Sequence, residues 1–109
     1  RTGPRRNIGP RPVRRGLKTF LMSVEVKSIE ADDFLVKVTA ASSTQHRVTL
    51  TDAYWNQIWN GRMTKVEIIE RSFAFLLQRE SNVSILSSFE LPVIQRYFPE
   101  YEGTAARWE

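Results

Sequence analysis

Residues 34–59, FLVKVTAASSTQHRVTLTDAYWNQIW, change hydrophobic period part-way along, and the fold class follows from that change. Up to Leu50 the period is two. Phe34, Val36, Val38 and Ala40 alternate with Leu35, Lys37 and Thr39, and Val48 and Leu50 alternate with Arg47 and Thr49. Strand side chains point to opposite faces in turn, so alternation rich in β-branched residues marks half-buried strands. From Thr51 the period becomes helical: at 100° per residue Tyr54, Trp55, Ile58 and Trp59 fall within an arc of about 140°. Thr51 or Asp52 can cap the start of this helix, and Asn60-Gly61 supplies a left-handed stop.

On the N-terminal side, Val24 and Val26 alternate with Glu25 and Lys27, which adds a strand before the quoted stretch. Glu30–Asp33 and Ala41–Thr44 are short and polar enough to close hairpins, so the three strands form an antiparallel meander. The alternation slips near Ser28 and Ile29, which predicts a bulge or an early end to pairing. On the C-terminal side, Thr64-Lys65-Val66-Glu67 is a capping box opening a second helix that runs to about Arg79. Ser81 or Asn82 is expected to start a short third helix carrying Ile85, Leu86 and Phe89. Glu90-Leu91-Pro92 is expected to begin a fourth, presenting Ile94, Tyr97 and Phe98 and ending at Pro99. Residues 103–109 lack periodicity and are expected to fray. Three strands cannot bury their apolar face alone. The predicted architecture is therefore α+β: a three-stranded antiparallel meander followed by about four short helices packed on one face.

At 109 residues the chain is one domain's worth, and 41% apolar with 26% charged residues is globular composition. The longest apolar run is five residues, too short for a membrane-spanning helix. With no cysteine, disulfide frameworks, thiolate metal sites and cysteine nucleophiles are excluded, and one histidine, His46, excludes the usual multi-histidine sites. The net charge of +4 is unevenly placed. Residues 1–20 carry seven basic groups and no acid, leaving −3 on the other 89.

The predicted organisation is a flexible basic arm over 1–21, a domain over 22–102 and the frayed tail. The arm, also rich in Pro and Gly, has three readings. It is an extension upstream of a natural start near Met22 or a cloning remnant, a basic arm for phosphate or an acidic partner, or a processed targeting remnant. As a phosphate binder it would use Arg5, Arg6, Arg11, Arg14 and Arg15, nonspecifically and with strong salt dependence. Lys27, Lys37 and Arg47 on the outer sheet face are candidates to extend that surface. That face lacks the exposed aromatics on which bases would stack, so a solvated face is the competing reading.

The second helix carries the candidate contact surface. Val66, Ile69, Phe73, Leu76 and Leu77 form one face, while Ile68 and Phe75 lie about 180° away, flanked by Arg71 and Arg79. Either the sheet and the C-terminal helices cover one side each, or Ile68 and Phe75 centre a self-association or partner groove rimmed by the arginines. Trp55 and Trp59 likewise read as core packing or as an interface anchor. His46 reads as a residue of the sheet margin, and Asp32 and Asp33 as turn formers. No catalytic serine, phosphate-cradling or paired-ligand motif occurs.

The segments RSFAFLLQRE (71–80), SILSSF (84–89) and LPVIQRYFPEY (91–101) resemble the C-terminal half of small uncharacterised bacterial proteins with the pattern SFxFLLxREPxxSILxxFxLxVIxRYFPEY. The resemblance covers about residues 22–102 and departs at Ser81, where the pattern often has Pro. It implies no activity, cofactor or binding residue. The expected function is a cytoplasmic, non-enzymatic interaction or regulatory module without cofactor, metal or membrane contact, whose partner is another protein or a second copy. Nucleic-acid association through the arginine-rich arm is the alternative.

Overall fold

A computed structural model describes residues 22–109. Strands β1 (Ser23–Ser28), β2 (Asp33–Thr39) and β3 (Ser43–Thr49) form the antiparallel meander in that order. Their alternation settles the faces. Phe34, Val36, Val38, His46 and Val48 are buried on one side with Val24 and Val26 packed against them, while Glu25, Lys27, Lys37, Gln45 and Arg47 are exposed on the other. The slip at Ser28 is an early end to pairing: β1 stops there, and Ile29 turns into the hairpin through an N–H bond to the Asp33 carbonyl at 2.9 Å.

Helix α1 (Asp52–Ile58) is capped by the Thr51 hydroxyl, which accepts from the Tyr54 N–H at 3.2 Å. Past its end Asn60 and Gly61 take positive φ values of 50° and 78°, the left-handed stop that glycine and asparagine tolerate best. Helix α2 (Lys65–Leu77) opens with both halves of the Thr64/Glu67 capping box and ends two residues earlier than its sequence pattern suggests. The N–H groups of Arg79 and Glu80 still reach the Leu76 carbonyl, so the last turn tightens there.

The C-terminal third departs from expectation in two places. Instead of a third helix, a single 3-10 turn (Asn82–Ser84) leads into a short strand, β4 (Ser88–Glu90), which pairs parallel to β3 and gives the sheet a fourth member. Serine occupies 81, 84, 87 and 88, and its hydroxyl competes with helical backbone bonding. Extended backbone also lets Phe89 pack on Phe73, with ring centroids 6.1 Å apart. Second, after α3 (Val93–Tyr97) the chain forms a further helix, α4 (Tyr101–Ala105), where fraying is predicted from residue 103. Tyr101 and Ala105 are fully buried and Trp108 stacks on Trp59 at 6.5 Å, so tertiary packing holds an ending too short to show a period.

Among the described residues no helix is long and apolar enough to cross a membrane.

Candidate functional site

The residues proposed as a contact surface on α2 are internal. Ile68 is fully buried and Phe75 nearly so. What covers this side of the helix is α4: Phe75 meets the Tyr101 ring edge-on at 5.3 Å, and Ser72 shares a hydrogen bond of 2.7 Å with the Tyr101 hydroxyl. The flanking arginines are engaged within the chain. Arg79 lies over the Phe75 ring at 3.5 Å and donates to Glu100 at 3.1 Å, while Arg71 donates to the Glu109 carbonyl at 3.1 Å. A helix apolar on two sides needs two partners, and here both come from the same subunit. The Ile68/Phe75 groove is therefore absent.

The tryptophans are also core elements. Trp59 is fully buried and donates to the Ala105 carbonyl at 2.9 Å; half-buried Trp55 donates to Met63 at 2.8 Å. The Lys65 ammonium lies 5.5 Å from the Trp55 ring and bridges Asp32 at 3.0 Å and Asp52 at 2.7 Å. Desolvation pulls the Lys65 pKa down, but the bonds to Asp52 and Asp32 outweigh it and leave the ammonium above its ordinary value.

The outer face of the sheet carries no continuous basic stripe. Lys27 and Arg47 share a cross-strand row with Leu35 between them, while Lys37 lies in the next row between Glu25 and Gln45. Arg47 is neutralised by Asp33 at 2.6 Å and Glu30 at 3.4 Å. Hydrogen bonds from the Thr49 hydroxyl, and then from Arg47, hold the Asp33 carboxyl below its ordinary value. The two adjacent aspartates thus serve different cations, and among the described residues no three acidic or imidazole groups converge to hold a metal. Arg5, Arg6, Arg11, Arg14 and Arg15 lie outside the described residues.

His46 is 2% exposed, deeper than the sheet margin where the sequence places it. Its Nδ1 is 2.7 Å from the Leu86 carbonyl, which can only accept, so Nδ1 carries the proton. Nε2 then accepts from the Thr44 hydroxyl at 2.9 Å. That hydroxyl accepts from Asn82 Nδ2 at 2.9 Å, and the same amide also donates to the Ser42 carbonyl at 2.9 Å. Every member is satisfied, and the chain of bonds ties the segment before β4 to the far end of β3. Both ring nitrogens are bonded within the fold, so His46 ties the Leu86 carbonyl to β3 as a structural clamp.

Burial also acts on two phenols. Tyr54, desolvated and bonded to Glu102 at 2.9 Å, is pushed well above the usual tyrosine range, and desolvation does the same to Tyr101. A folded pKa above the unfolded one makes this contribution complete below about pH 10, where a free tyrosine titrates, and lost at higher pH. Alkaline titration is therefore expected to unfold the protein as these two phenols ionise, with 295 nm absorbance and circular dichroism changing together in a Tyr97→Phe background, which removes the exposed third phenol. Ionisation of both phenols in a still-folded chain would contradict their burial.

What the His46 clamp positions is an apolar cleft of about 270 Å³, bounded by the 3-10 turn, β4, α3 and the end of α2. Leu76, Ile85, Leu86, Phe89, Val93, Ile94, Tyr97 and Phe98 line it, with Glu80 and Ser84 at its polar edge. Its rim holds two of the exposed large apolar side chains of the described residues, Tyr97 at 64% and Leu86 at 46%, and Val83, next to Ser84 in the chain, is exposed to 63%. The sequence pattern puts Leu86 and Phe89 on a third helix and Tyr97 on a fourth, and does not mark this surface. The available signal was an apolar content in 83–98 larger than such short elements can cover. A second, smaller hollow between Arg71, Phe75, Gln78 and Trp108 is the seam between α2 and the C-terminal segment.

Comparison of the chain with protein-family models, curated proteins and solved structures gives no match.

Proposed function

We propose that this chain is a cytoplasmic, non-enzymatic protein-recognition module and that the cleft beside β4 is its contact surface. One observation carries the reading: Leu86 and Tyr97 stand exposed around a preformed apolar hollow, while the other exposed large apolar side chains among the described residues, Met22, Ile29 and Val83, line no hollow. Exposed apolar patches around a concave site are typical of recognition surfaces. The cleft is held by a saturated polar network and a full core, so binding there needs little reorganisation.

Leu86→Glu tests this. The side chain lies on the surface, so the substitution is expected to change folding stability by no more than about 0.5 kcal/mol. It places a carboxylate in the rim and is expected to abolish partner capture from cell extract. A partner retained equally by both proteins would remove the cleft from the reading. Light scattering of the same pair covers self-association, where a dimer lost in Leu86→Glu would make the partner a second copy.

A further inference from the structure

We propose that the cleft takes an extended peptide added as a fifth strand to the outer edge of β4, with an apolar side chain seated against Leu86 and Tyr97 and an arginine or lysine two residues along paired with Glu80. The proposal rests on the recognition reading of the cleft and names its partner's chemistry.

The backbone supplies the first argument. The Arg47 N–H bonds to the Ser87 carbonyl at 2.8 Å and the Leu91 N–H bonds to the Thr49 carbonyl at 2.9 Å, so residues 87, 89 and 91 face β3. The period of two then turns the N–H and C=O groups of Ser88 and Glu90 outward, where they meet no backbone partner among the described residues. An edge with unpaired groups is a template for another strand, and strand addition draws affinity from main-chain bonds and specificity from alternate side chains. Phe89 points to the helix side, which is also the side of the cleft. A strand laid along β4 therefore sends every second side chain toward it.

Charge selects the occupant. Glu80 is half-buried at the edge of an otherwise apolar cleft and forms no ion pair among the described residues; neighbouring Arg79 is committed to Glu100 and to the Phe75 carbonyl. Glu90 at the end of β4 is likewise unpaired by a cation there. A second copy would bring two such carboxylates together, and a phosphate-bearing partner would be repelled. A peptide with a cation at i±2 from an apolar anchor satisfies both features at once.

The test uses the full chain and a fluorescein-labelled peptide, Gly-Arg-Thr-Phe-Thr-Arg-Gly, which offers a cation on either side of the anchor. Comparison peptides carry Glu for Arg, or N-methyl groups on one or the other set of alternate residues. The arginine peptide is expected to bind at least tenfold tighter than the glutamate peptide, and Glu80→Lys is expected to invert that preference. One N-methylated series should lose at least tenfold and the other should not, because only alternate amides face β4. Amide exchange at Ser88 and Glu90 should slow on binding. Equal binding of the arginine and glutamate peptides, or of both N-methylated series, overturns the proposal. If that binding is still abolished by Leu86→Glu, the recognition reading stands without it. Absence of binding by every peptide overturns the proposal as well, and a partner captured from extract equally by the parent and by Leu86→Glu overturns the recognition reading separately.

Discussion

Tyr101→Ala is expected to destabilise the domain by about 3–5 kcal/mol, the range for deleting a buried aromatic ring. The ring is fully buried, meets Phe75 at 5.3 Å and Trp108 at 6.1 Å, and its hydroxyl is bonded to Ser72. Loss of this much can exceed half the stability of a small domain. A distinctive second effect follows from position. With α4 loosened, Ile68 and Phe75 lose their cover and become the exposed apolar stripe that their spacing on α2 suggests. Concentration-dependent association is therefore expected in Tyr101→Ala at temperatures where it remains folded. Tyr101→Phe isolates the hydroxyl and should cost only about 1 kcal/mol, because Ser72 still donates to the Ile68 carbonyl at 2.7 Å. Chemical denaturation and light scattering of the two variants read both effects. A Tyr101→Ala protein as stable as the parent would mean that α4 does not seal α2.

Asn82→Leu carries the second large effect, about 2–3 kcal/mol. Its amide donates both to the Ser42 carbonyl and to the Thr44 hydroxyl, and that hydroxyl is what His46 Nε2 accepts from. Removing the amide takes one of two donors from the Ser42 carbonyl, which keeps the Ala40 N–H at 3.1 Å, and frees the Thr44 hydroxyl to turn away from the buried imidazole. The far end of the network is the Leu86 carbonyl, so the loss should spread along the chain to β4. Amide exchange is expected to quicken at Ile85, whose N–H bonds to the Asn82 carbonyl, and at Arg47, whose N–H bonds to Ser87. Exchange in β1 should change only with global stability. A uniform change across the sheet would show that Asn82 contributes to the core in general and does not clamp the cleft in particular.

The meander and the first two helices are legible in sequence because each is decided by neighbours along the chain. Alternation of Val36, Val38 and Val48 with charged and polar residues names the buried face without reference to anything distant. Thr51, Thr64 and Glu67 cap helices through bonds spanning three residues, and Asn60-Gly61 ends one by its own backbone preference. The separation of charge between residues 1–20 and the remainder is likewise a property of order alone.

The strand β4, the helix α4 and the location of the exposed apolar surface were decided by tertiary structure. Ile85, Leu86 and Phe89 fit a helical spacing as well as an extended one. The choice between them rests on His46 and Arg47, about 40 residues earlier, which receive the segment along β3. Tyr101, Ala105 and Trp108 have too few companions to form a period, and they are ordered by burial against Trp59 and Phe75. The second apolar side of α2 could be seen in the sequence, but what covers it could not. Hydrophobic pattern states that a face must be hidden, and only the path of the chain states whether the cover belongs to the same molecule.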